Sequence, residues 1–187
     1  MVPLTQQAHE VLRQYVTTGD VVVDATAGNG HDTAFLAELV RPAGQVYAFD
    51  IQANAISATR QRLADGGHLS YVNLIQASHA ELMPFIPAES HGQIKAIVFN
   101  LGYLPGSDHR IQTEPDSTVA ALSKALRILD AHGVITIIAY PGHPGGKEEL
   151  AAVERWLISL SPDWSATIVT NEQHDAAPHL FVIRRGH

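Results

Sequence analysis

The sequence predicts an α/β fold with a seven-stranded, mostly parallel sheet, an antiparallel edge pair and helices on both faces. Apolar runs that end in a polar residue alternate with helical patterns along most of the chain, which is typical of a doubly wound parallel sheet. The last two apolar runs have no helix between them, so we expect them to pair antiparallel at one edge. With 187 residues, the chain is expected to form a single domain over 1–187.

The first half of the chain alternates predicted helices with predicted strands. Leu12 and Tyr15 follow Ala8 at helical spacing, which indicates an amphipathic helix. The apolar run that ends at Asp24 indicates a buried parallel strand. The predicted elements are a helix over 5–15, a strand over 20–24, a helix over 31–40, a strand over 45–49, a helix over 54–63 and a strand over 69–75.

The second half continues the pattern and closes with the two edge strands. Pro84 and Pro87 limit the helix that begins at Ala80, because proline interrupts helical hydrogen bonding. A long loop rich in Gly, Pro, Asp and Thr follows the fourth strand. The predicted elements are a short helix over 80–85, a strand over 94–99, a helix over 117–129, a strand over 133–139, a helix over 147–160 and strands over 166–170 and 180–184.

Composition favours a soluble globular protein, with 45% hydrophobic and 17% charged residues. The chain has no cysteine, which excludes disulfides and thiolate metal sites. We see no signal peptide and no apolar stretch near the roughly 20 residues that span a membrane, so the expected location is cytoplasmic. The net charge of −7 argues against a large nucleic-acid footprint but leaves room for a small basic patch.

A glycine-containing loop follows the first strand, where parallel sheets bind ligands. Gly28 and Gly30 let the backbone approach a ligand, although a tight strand-to-helix turn would need glycines too. Thr33 stands where the dinucleotide fingerprint has Gly or Ala, and Asp24 would repel a pyrophosphate. Asp24 could instead accept a hydrogen bond from an ammonium group, while the helix N-terminus favours a carboxylate. The loop therefore fits the methionine end of S-adenosylmethionine.

Polar residues after strands two and three suit the rest of that cofactor. Asp50 ends strand two, 20 residues after Gly30, where an acid can accept both ribose hydroxyls, with assistance from Gln52. Ser78 and His79 follow strand three and could bond an adenine edge. The alternatives are structural: Asp50 would be a helix N-cap, and Ser78 would cap the short helix.

The element after strand four is similar to the Asn-Pro-Pro-Tyr element of amino-directed methyltransferases. Here Asn100 and the carbonyl of Leu101 would accept hydrogen bonds from an amine, and Tyr103 would stack on the target base. Gly102 replaces a proline of that element.

An amine must lose a proton before it attacks a methyl group, so a nearby base would help. The candidate bases are His31, Asp32, His109 and His143. Each single histidine has an alternative role at the surface or in packing. No three histidines have convincing metal-ligand spacing, so no metal site is predicted.

Three stretches resemble the family labelled rRNA methylases, whose characterised branch comprises bacterial tRNA 5-aminomethyl-2-thiouridine methyltransferases. The stretches are 24–33, 100–106 and 140–146, and the resemblance covers nearly the whole chain in the right order. It implies a Rossmann-like class I methyltransferase that uses S-adenosylmethionine. The implied reaction converts 5-aminomethyl(-2-thio)uridine at the tRNA wobble position to the methylaminomethyl form and releases S-adenosylhomocysteine.

The resemblance also implies where the ligands bind. Together with the residue arguments above, it gives a predicted cofactor set of Asp24, Thr26, Gly28, Asn29, Gly30, His31, Asp32, Thr33, Asp50, Gln52, Ser78 and His79. The predicted substrate set is Tyr103, Pro105, His109, Arg110, Thr113, Tyr140 and His143. The family's loop often has lysine where this chain has His109, although His109 and Arg110 could still offer positive charge to a phosphate.

The predicted substrate is an exposed RNA loop, because sequence-specific RNA recognition favours single strands whose bases stack on aromatic rings. The tRNA anticodon loop meets that description. We expect 101–113 and 140–147 to form an RNA-facing rim, which a homodimer would extend.

Three other functions stay open at this point. The same chemistry could act on ribosomal RNA, on another RNA or on a small amine. A nicotinamide-dependent dehydrogenase is disfavoured by Thr33 and Asp24. A non-catalytic cofactor-binding regulator would have no need of the element from Asn100 to Tyr103.

Overall fold

The computed structural model describes residues 2–102, 112–170, 174 and 176–186, and these form the predicted alternation of strands and helices. The helices are Leu4–Tyr15 (α1), His31–Val40 (α2), Ala53–Asp65 (α3), Pro115–Ile128 (α4) and Gly146–Ile158 (α5). The strands are Val21–Asp24 (β1), Gln45–Asp50 (β2), Val72–Gln76 (β3), Ile94–Asn100 (β4), Leu129–Ala139 (β5), Trp164–Thr170 (β6) and His179–Arg185 (β7).

The seven strands form one sheet in the order β3-β2-β1-β4-β5-β7-β6. Strands β1 to β5 pair in parallel, and β6 and β7 form the predicted antiparallel pair. Strand β7 also pairs antiparallel with β5, from Val134 opposite Arg184 to Ala139 opposite His179. The seven-stranded, mostly parallel fold is confirmed, and the structure adds that β7 lies between β5 and β6.

Helices cover both faces of the sheet, as predicted. One core contains side chains of α4 and α5, among them Leu122, Ile128 and Trp156, packed on Phe49 and Phe99 of the strands. The opposite core joins α1, α2 and α3 to the sheet through Leu12, Leu36 and Leu63. Apolar side chains are therefore buried on both sides of β1, β2 and β4, which explains why these strands are continuous apolar runs.

The short helix predicted over 80–85 is wrong, because two separate 3₁₀ turns, His79–Glu81 and Met83–Phe85, occupy this segment. An α-helix needs the N–H of residue 84 to bond the carbonyl of Ala80, and Pro84 has no N–H. The Nζ of Lys124 in α4 donates to that carbonyl instead.

Two strands begin three or four residues away from their predicted first residues, and the others begin within two residues of theirs. A 3₁₀ turn over Leu69–Tyr71 precedes β3, so the strand begins at Val72 rather than at 69. Strand β5 begins at Leu129 rather than at 133, because Leu129 pairs with Ile94 before the register shifts. Part of this shifted segment is held by Lys95, whose Nζ donates to Asp130 at 2.9 Å.

The strand order reverses between β2 and β4, on either side of β1, and this is where open α/β sheets hold ligands. The carboxyl ends of these three strands, Asp24, Asp50 and Asn100, meet at one edge of the sheet. None of the described helices is both long enough and apolar enough to cross a membrane.

Candidate functional site

A cavity of about 560 Å³ opens at the carboxyl ends of β1, β2 and β4. It brings together most of the side chains that the sequence singled out. The predicted site residues that line it are Thr26, Gly28, Asn29, His31, Asp32, Asp50, Gln52, Ser78, His79, Asn100, Leu101, Thr113, Tyr140 and His143.

Asp24 lies behind the cavity wall. It is completely buried, Oδ2 accepts a hydrogen bond from the Thr33 hydroxyl at 2.6 Å, and Oδ1 accepts one from the N–H of Thr26 at 3.1 Å. Burial, and then the negative charges of Asp32 and Asp50, raise the pKa of Asp24 to about 7. The expectation that Asp24 and Thr33 contact the ligand is therefore corrected: they tie β1 to the first turn of α2.

Gly30 also has a structural position rather than a place in the cavity wall. It caps the N-terminus of α2 with a φ of +79°, in the left-handed region that favours glycine. A Cβ at this position would lie 2.8 Å from the Cα of Thr59 in α3. Gly30 thus allows α2 and α3 to pack closely, whereas Gly28 of the same loop lines the cavity.

Asp50 is held by backbone donors on both sides. The N–H of Gly28 donates to Oδ2 and the N–H of Gln52 donates to Oδ1, each at 2.9 Å. The N-cap of α3 is Gln52, so the alternative reading of Asp50 as that cap is excluded. Each carboxylate oxygen has two lone pairs, which leaves Asp50 able to accept two further hydrogen bonds at the cavity wall.

His79 supplies a neutral ring to the cavity. Burial lowers the pKa of His79, so its ring is neutral near pH 7. Nδ1 lies 3.1 Å from the carbonyl oxygen of Ala25, which can only accept, so Nδ1 carries the proton and Nε2 is an acceptor. This Nε2 is buried without a partner in the described part of the chain. The Ser78 hydroxyl accepts a hydrogen bond from the N–H of Ala80 and caps the following turn, which is the structural role given above as the alternative for this residue.

These side chains fit S-adenosylmethionine. The carboxylate of Asp50 can accept two ribose hydroxyls, and the partnerless Nε2 of His79 can accept a hydrogen bond from an exocyclic amine. The first turn of α2 has backbone N–H groups without partners inside the helix, which suit a carboxylate. Asp32 and Asp50 place negative charge in the wall of a cavity that would hold a sulfonium and an ammonium.

Asn100 is fixed at the end of β4 by two hydrogen bonds. Its backbone N–H donates to the Thr26 hydroxyl at 2.7 Å, and its side-chain Nδ2 donates to Oδ2 of Asp32 at 3.3 Å. The next residue, Leu101, is held by its N–H on the carbonyl of Ile138 at 2.8 Å. Asn100 and Leu101 therefore line the cavity from a strand end that hydrogen bonds hold in place.

A buried carboxylate supports the loop that follows. The N–H of Gly102 donates to the Thr113 hydroxyl and the N–H of Thr113 donates to the Gly102 carbonyl, both at 2.8 Å. The Thr113 and Thr118 hydroxyls each donate to the carboxylate of Glu149 at 2.7 Å. Burial raises the pKa of Glu149, which is only 2% exposed, and the two hydroxyl donors partly offset the increase.

Tyr140 and His143 also line the cavity, close to Gly102. Burial and the negative charge of Asp32 raise the pKa of Tyr140, which keeps its phenol protonated. Nδ1 of His143 donates to the carbonyl of Pro144 at 3.0 Å. Four residues of the predicted substrate set lie outside the described part of the chain: Tyr103, Pro105, His109 and Arg110.

Two residues near the cavity were not predicted. Glu149 precedes Ala152, Val153 and Trp156 by three, four and seven residues, and this spacing could have placed it on the buried face of α5. His9 in α1 lies 2.7 Å from Asp32, measured from Nε2 to Oδ1. Sequence spacing gave no signal for this contact, because it joins residues 23 positions apart.

A family model and a curated relative identify the family to which the chain belongs. The sequence profile described as "Putative rRNA methylase" matches residues 46–184. A tRNA (mnm(5)s(2)U34)-methyltransferase of Arabidopsis thaliana, described as chloroplastic, is 39% identical over 191 residues, covering 97% of this chain and 69% of that protein.

Solved structures agree with these sequence matches. A protein described as a putative rRNA-methylase from Clostridium thermocellum superposes with a TM-score of 0.91 and 38% identity, covering 100% of this chain and 99% of its own. A protein described as a putative methyltransferase from Streptococcus mutans, solved in complex with SAH, gives a TM-score of 0.85 and 30% identity, covering 100% of this chain and 99% of its own.

Proposed function

The chain belongs to the rRNA methylase family and is an S-adenosylmethionine-dependent methyltransferase, and from this premise we propose that it methylates an amine on tRNA. The proposed reaction converts 5-aminomethyl(-2-thio)uridine at the wobble position to 5-methylaminomethyl(-2-thio)uridine. The identity to the plant tRNA methyltransferase supports this substrate.

The observation that carries the proposal is the position of Asn100 in the cofactor cavity. Asn100 and Leu101 line the same cavity as Asp50 and His79, so an acceptor bound to the amide could face the cofactor's methyl group. A regulator that only binds the cofactor would have no use for this arrangement.

The chain's own residues would position the reactants. Bound S-adenosylmethionine would supply a methyl group on a sulfonium and leave as S-adenosylhomocysteine, and the methylated ammonium would release one proton to solvent. Asn100 Oδ1 and the Leu101 carbonyl accept hydrogen bonds from the neutral amine, which directs its lone pair towards the cavity. Asp50 and His79 hold the nucleoside end of the cofactor. Because the electrophile is already reactive, positioning and exclusion of water supply most of the acceleration.

We propose that the nucleotide approaches along 101–113 and 140–147, of which 103–111 lie outside the described residues. Within these segments, Thr113, Tyr140 and His143 line the cavity. We propose the anticodon loop as the bound element, because its unpaired bases can leave the stack and reach a cavity. A homodimer would extend this rim, which light scattering with and without tRNA would test. We propose that the enzyme works in the cytoplasm, whereas the plant relative is described as chloroplastic.

Ribosomal RNA is the second candidate substrate, because the matching family is described by that activity. The cavity chemistry would be the same, since Asn100 would present an exocyclic or side-chain amine of another RNA. The two candidates differ only in which RNA reaches the rim.

Mass spectrometry of nucleosides tests the proposed reaction. Transfer RNA that lacks the final methyl is incubated with the protein and S-adenosylmethionine, then digested. We expect the aminomethyl-thiouridine to gain one methyl group. The Asn100→Ala variant should bind the cofactor in calorimetry yet add little methyl, because it loses an acceptor for the amine. If the wild type binds the cofactor, leaves this tRNA unchanged and methylates ribosomal RNA, the wobble assignment is wrong.

A further inference from the structure

We propose that His9 is a positioning residue for methyl transfer: acting through Asp32, it fixes the direction in which the Asn100 amide points. The inference deepens the proposed function and rests on it, because it assumes that Asn100 holds the methyl acceptor. It links three separate elements, since His9 belongs to α1, Asp32 to the first turn of α2 and Asn100 to the end of β4.

The first link is the hydrogen bond between His9 and Asp32. Nε2 of His9 lies 2.7 Å from Oδ1 of Asp32. An ionised carboxylate can only accept, so Nε2 carries a proton and donates. The contact is largely shielded from water, because the side chains are 24% and 13% exposed respectively.

Packing holds the ring of His9 in the plane that this bond requires. The ring stacks on Phe35 of α2 with centroids 3.7 Å apart and planes within 1° of parallel. The guanidinium of Arg13 lies 4.8 Å from the centroid of the same Phe35 ring. The imidazole is therefore placed by an aromatic stack and does not depend on its hydrogen bond alone.

The second link is the hydrogen bond between Asp32 and the side chain of Asn100. Asp32 accepts at Oδ2 from Nδ2 of Asn100 at 3.3 Å. Because a carboxylate cannot donate, the NH₂ of the amide must face Asp32, which directs Oδ1 the other way. The backbone of Asn100 is already fixed by its hydrogen bond to Thr26. The side-chain amide could still rotate, and the hydrogen bond to Asp32 restricts that rotation.

The amide direction decides whether Asn100 can serve the reaction. With Oδ1 towards the acceptor, it receives a hydrogen bond from the amine and leaves the lone pair free to attack. With the amide turned over, Nδ2 would point a donor at the amine and occupy that lone pair. A carboxylate that is itself held by His9 favours the productive orientation before the substrate binds.

Two substitutions of His9 separate hydrogen bonding from packing. The variant His9→Phe keeps a ring for the stack on Phe35 but removes the donor, and His9→Gln keeps an N–H donor without the ring. We expect kcat to fall about tenfold or more in His9→Phe, with the Kd for S-adenosylmethionine unchanged, and to recover in His9→Gln. The control is His132→Phe, at an exposed position in β5, which should leave kcat unchanged.

Three outcomes would overturn the inference. Unchanged kcat in His9→Phe would show that the hydrogen bond is not used. An equal loss of kcat in both variants would show that a donor at position 9 does not restore turnover. A loss of kcat accompanied by weaker cofactor binding would place the effect on the cofactor rather than on Asn100.

A direct readout separates this inference from the proposed function. The side-chain amide ¹⁵N–¹H signals of Asn100 should shift in His9→Phe and return in His9→Gln, whether or not tRNA is methylated. A wild-type protein that leaves tRNA unmodified would contradict the proposed function, and the amide signals would still test the His9–Asp32–Asn100 link. Identical Asn100 signals in wild type and His9→Phe would refute the link.

Discussion

Two buried acids that do not line the cavity show how single residues shape the site. Asp24 and Glu149 each accept hydrogen bonds from a threonine hydroxyl and are almost completely enclosed. Burial raises the pKa of both carboxyls, because an enclosed charge loses its hydration. Their role is to join neighbouring elements, and their charge carries an energetic cost.

The cost at Asp24 predicts a pH-dependent stability. Its pKa rises from 3.8 unfolded to about 7 folded, so its favourable contribution is complete below pH 4 and is lost as the pH rises through 7. The variant Asp24→Asn has no such loss. In urea unfolding, the free energy of unfolding of the variant should therefore rise relative to that of the wild type between pH 4 and 8. The expected change is on the order of 1.4 kcal/mol for each unit by which the pKa of Asp24 is raised. Asp65→Asn, at an exposed site, is the control, and a pH-independent difference for Asp24→Asn would contradict the burial argument.

At the scale of elements, a buried carboxylate joins the end of β4 to two helices. Gly102 and Thr113 close the base of the loop through reciprocal hydrogen bonds, and Thr113 and Thr118 meet on Glu149 of α5. Gly102 and Thr113, the described residues on either side of 103–111, are thus anchored to α4 and α5.

Removing that carboxylate should weaken both stability and turnover. Glu149→Ala leaves the Thr113 and Thr118 hydroxyls without their acceptor and opens a cavity, at a cost of about 2–4 kcal/mol in the free energy of unfolding. Methyl transfer should fall as well, while cofactor affinity changes little, because Asp50 and His79 belong to other elements. Glu148→Ala removes a neighbouring exposed acid of the same turn and should change neither quantity. Equal effects of the two variants would rule out the anchoring role.

For the molecule as a whole, one sheet serves both stability and binding. The two cores pack against opposite faces of the same strands, and the cavity lies where those strands end. We propose that residues 1–187 unfold as one cooperative domain, since the described helices share this sheet. Cofactor binding should then stabilise the whole domain against unfolding rather than one part of it.

Thermal unfolding in the presence of S-adenosylhomocysteine tests whether the chain unfolds as one cooperative domain. At 100 times its Kd, a ligand that binds only the native state adds about 2.7 kcal/mol. For a chain of this size, that should raise the Tm of a single transition by roughly 5–10 °C. Asp50→Ala should weaken binding about 10- to 100-fold, because it loses a charged acceptor and the bond to Gly28. At the same ligand concentration, the increase in Tm should fall to about half or less of the wild-type increase. Two transitions, of which only one moves, would disprove a single cooperative unit.

Much of the fold was predictable because local chemistry and tertiary structure agree. The bounds predicted for α2, 31–40, are those observed, and β2 and β4 end at the polar residues expected, Asp50 and Asn100. The prediction failed over 80–85, where the effect of Pro84 was underestimated. The antiparallel pair was predicted, but the place of β7 between β5 and β6 depends on hydrogen bonds between distant segments.

The sequence by itself determined the alternation of strands and helices, the strand ends that carry polar residues, and the family. Apolar periodicity and short motifs are local properties of the chain, so they do not depend on the order in which the strands pair. The tertiary structure alone decided that Asp24 and Gly30 lie behind the cavity, that Glu149 anchors the loop base and that His9 reaches Asp32. These contacts join residues far apart in the chain, so burial and hydrogen-bond partners exist only after the sheet has brought them together.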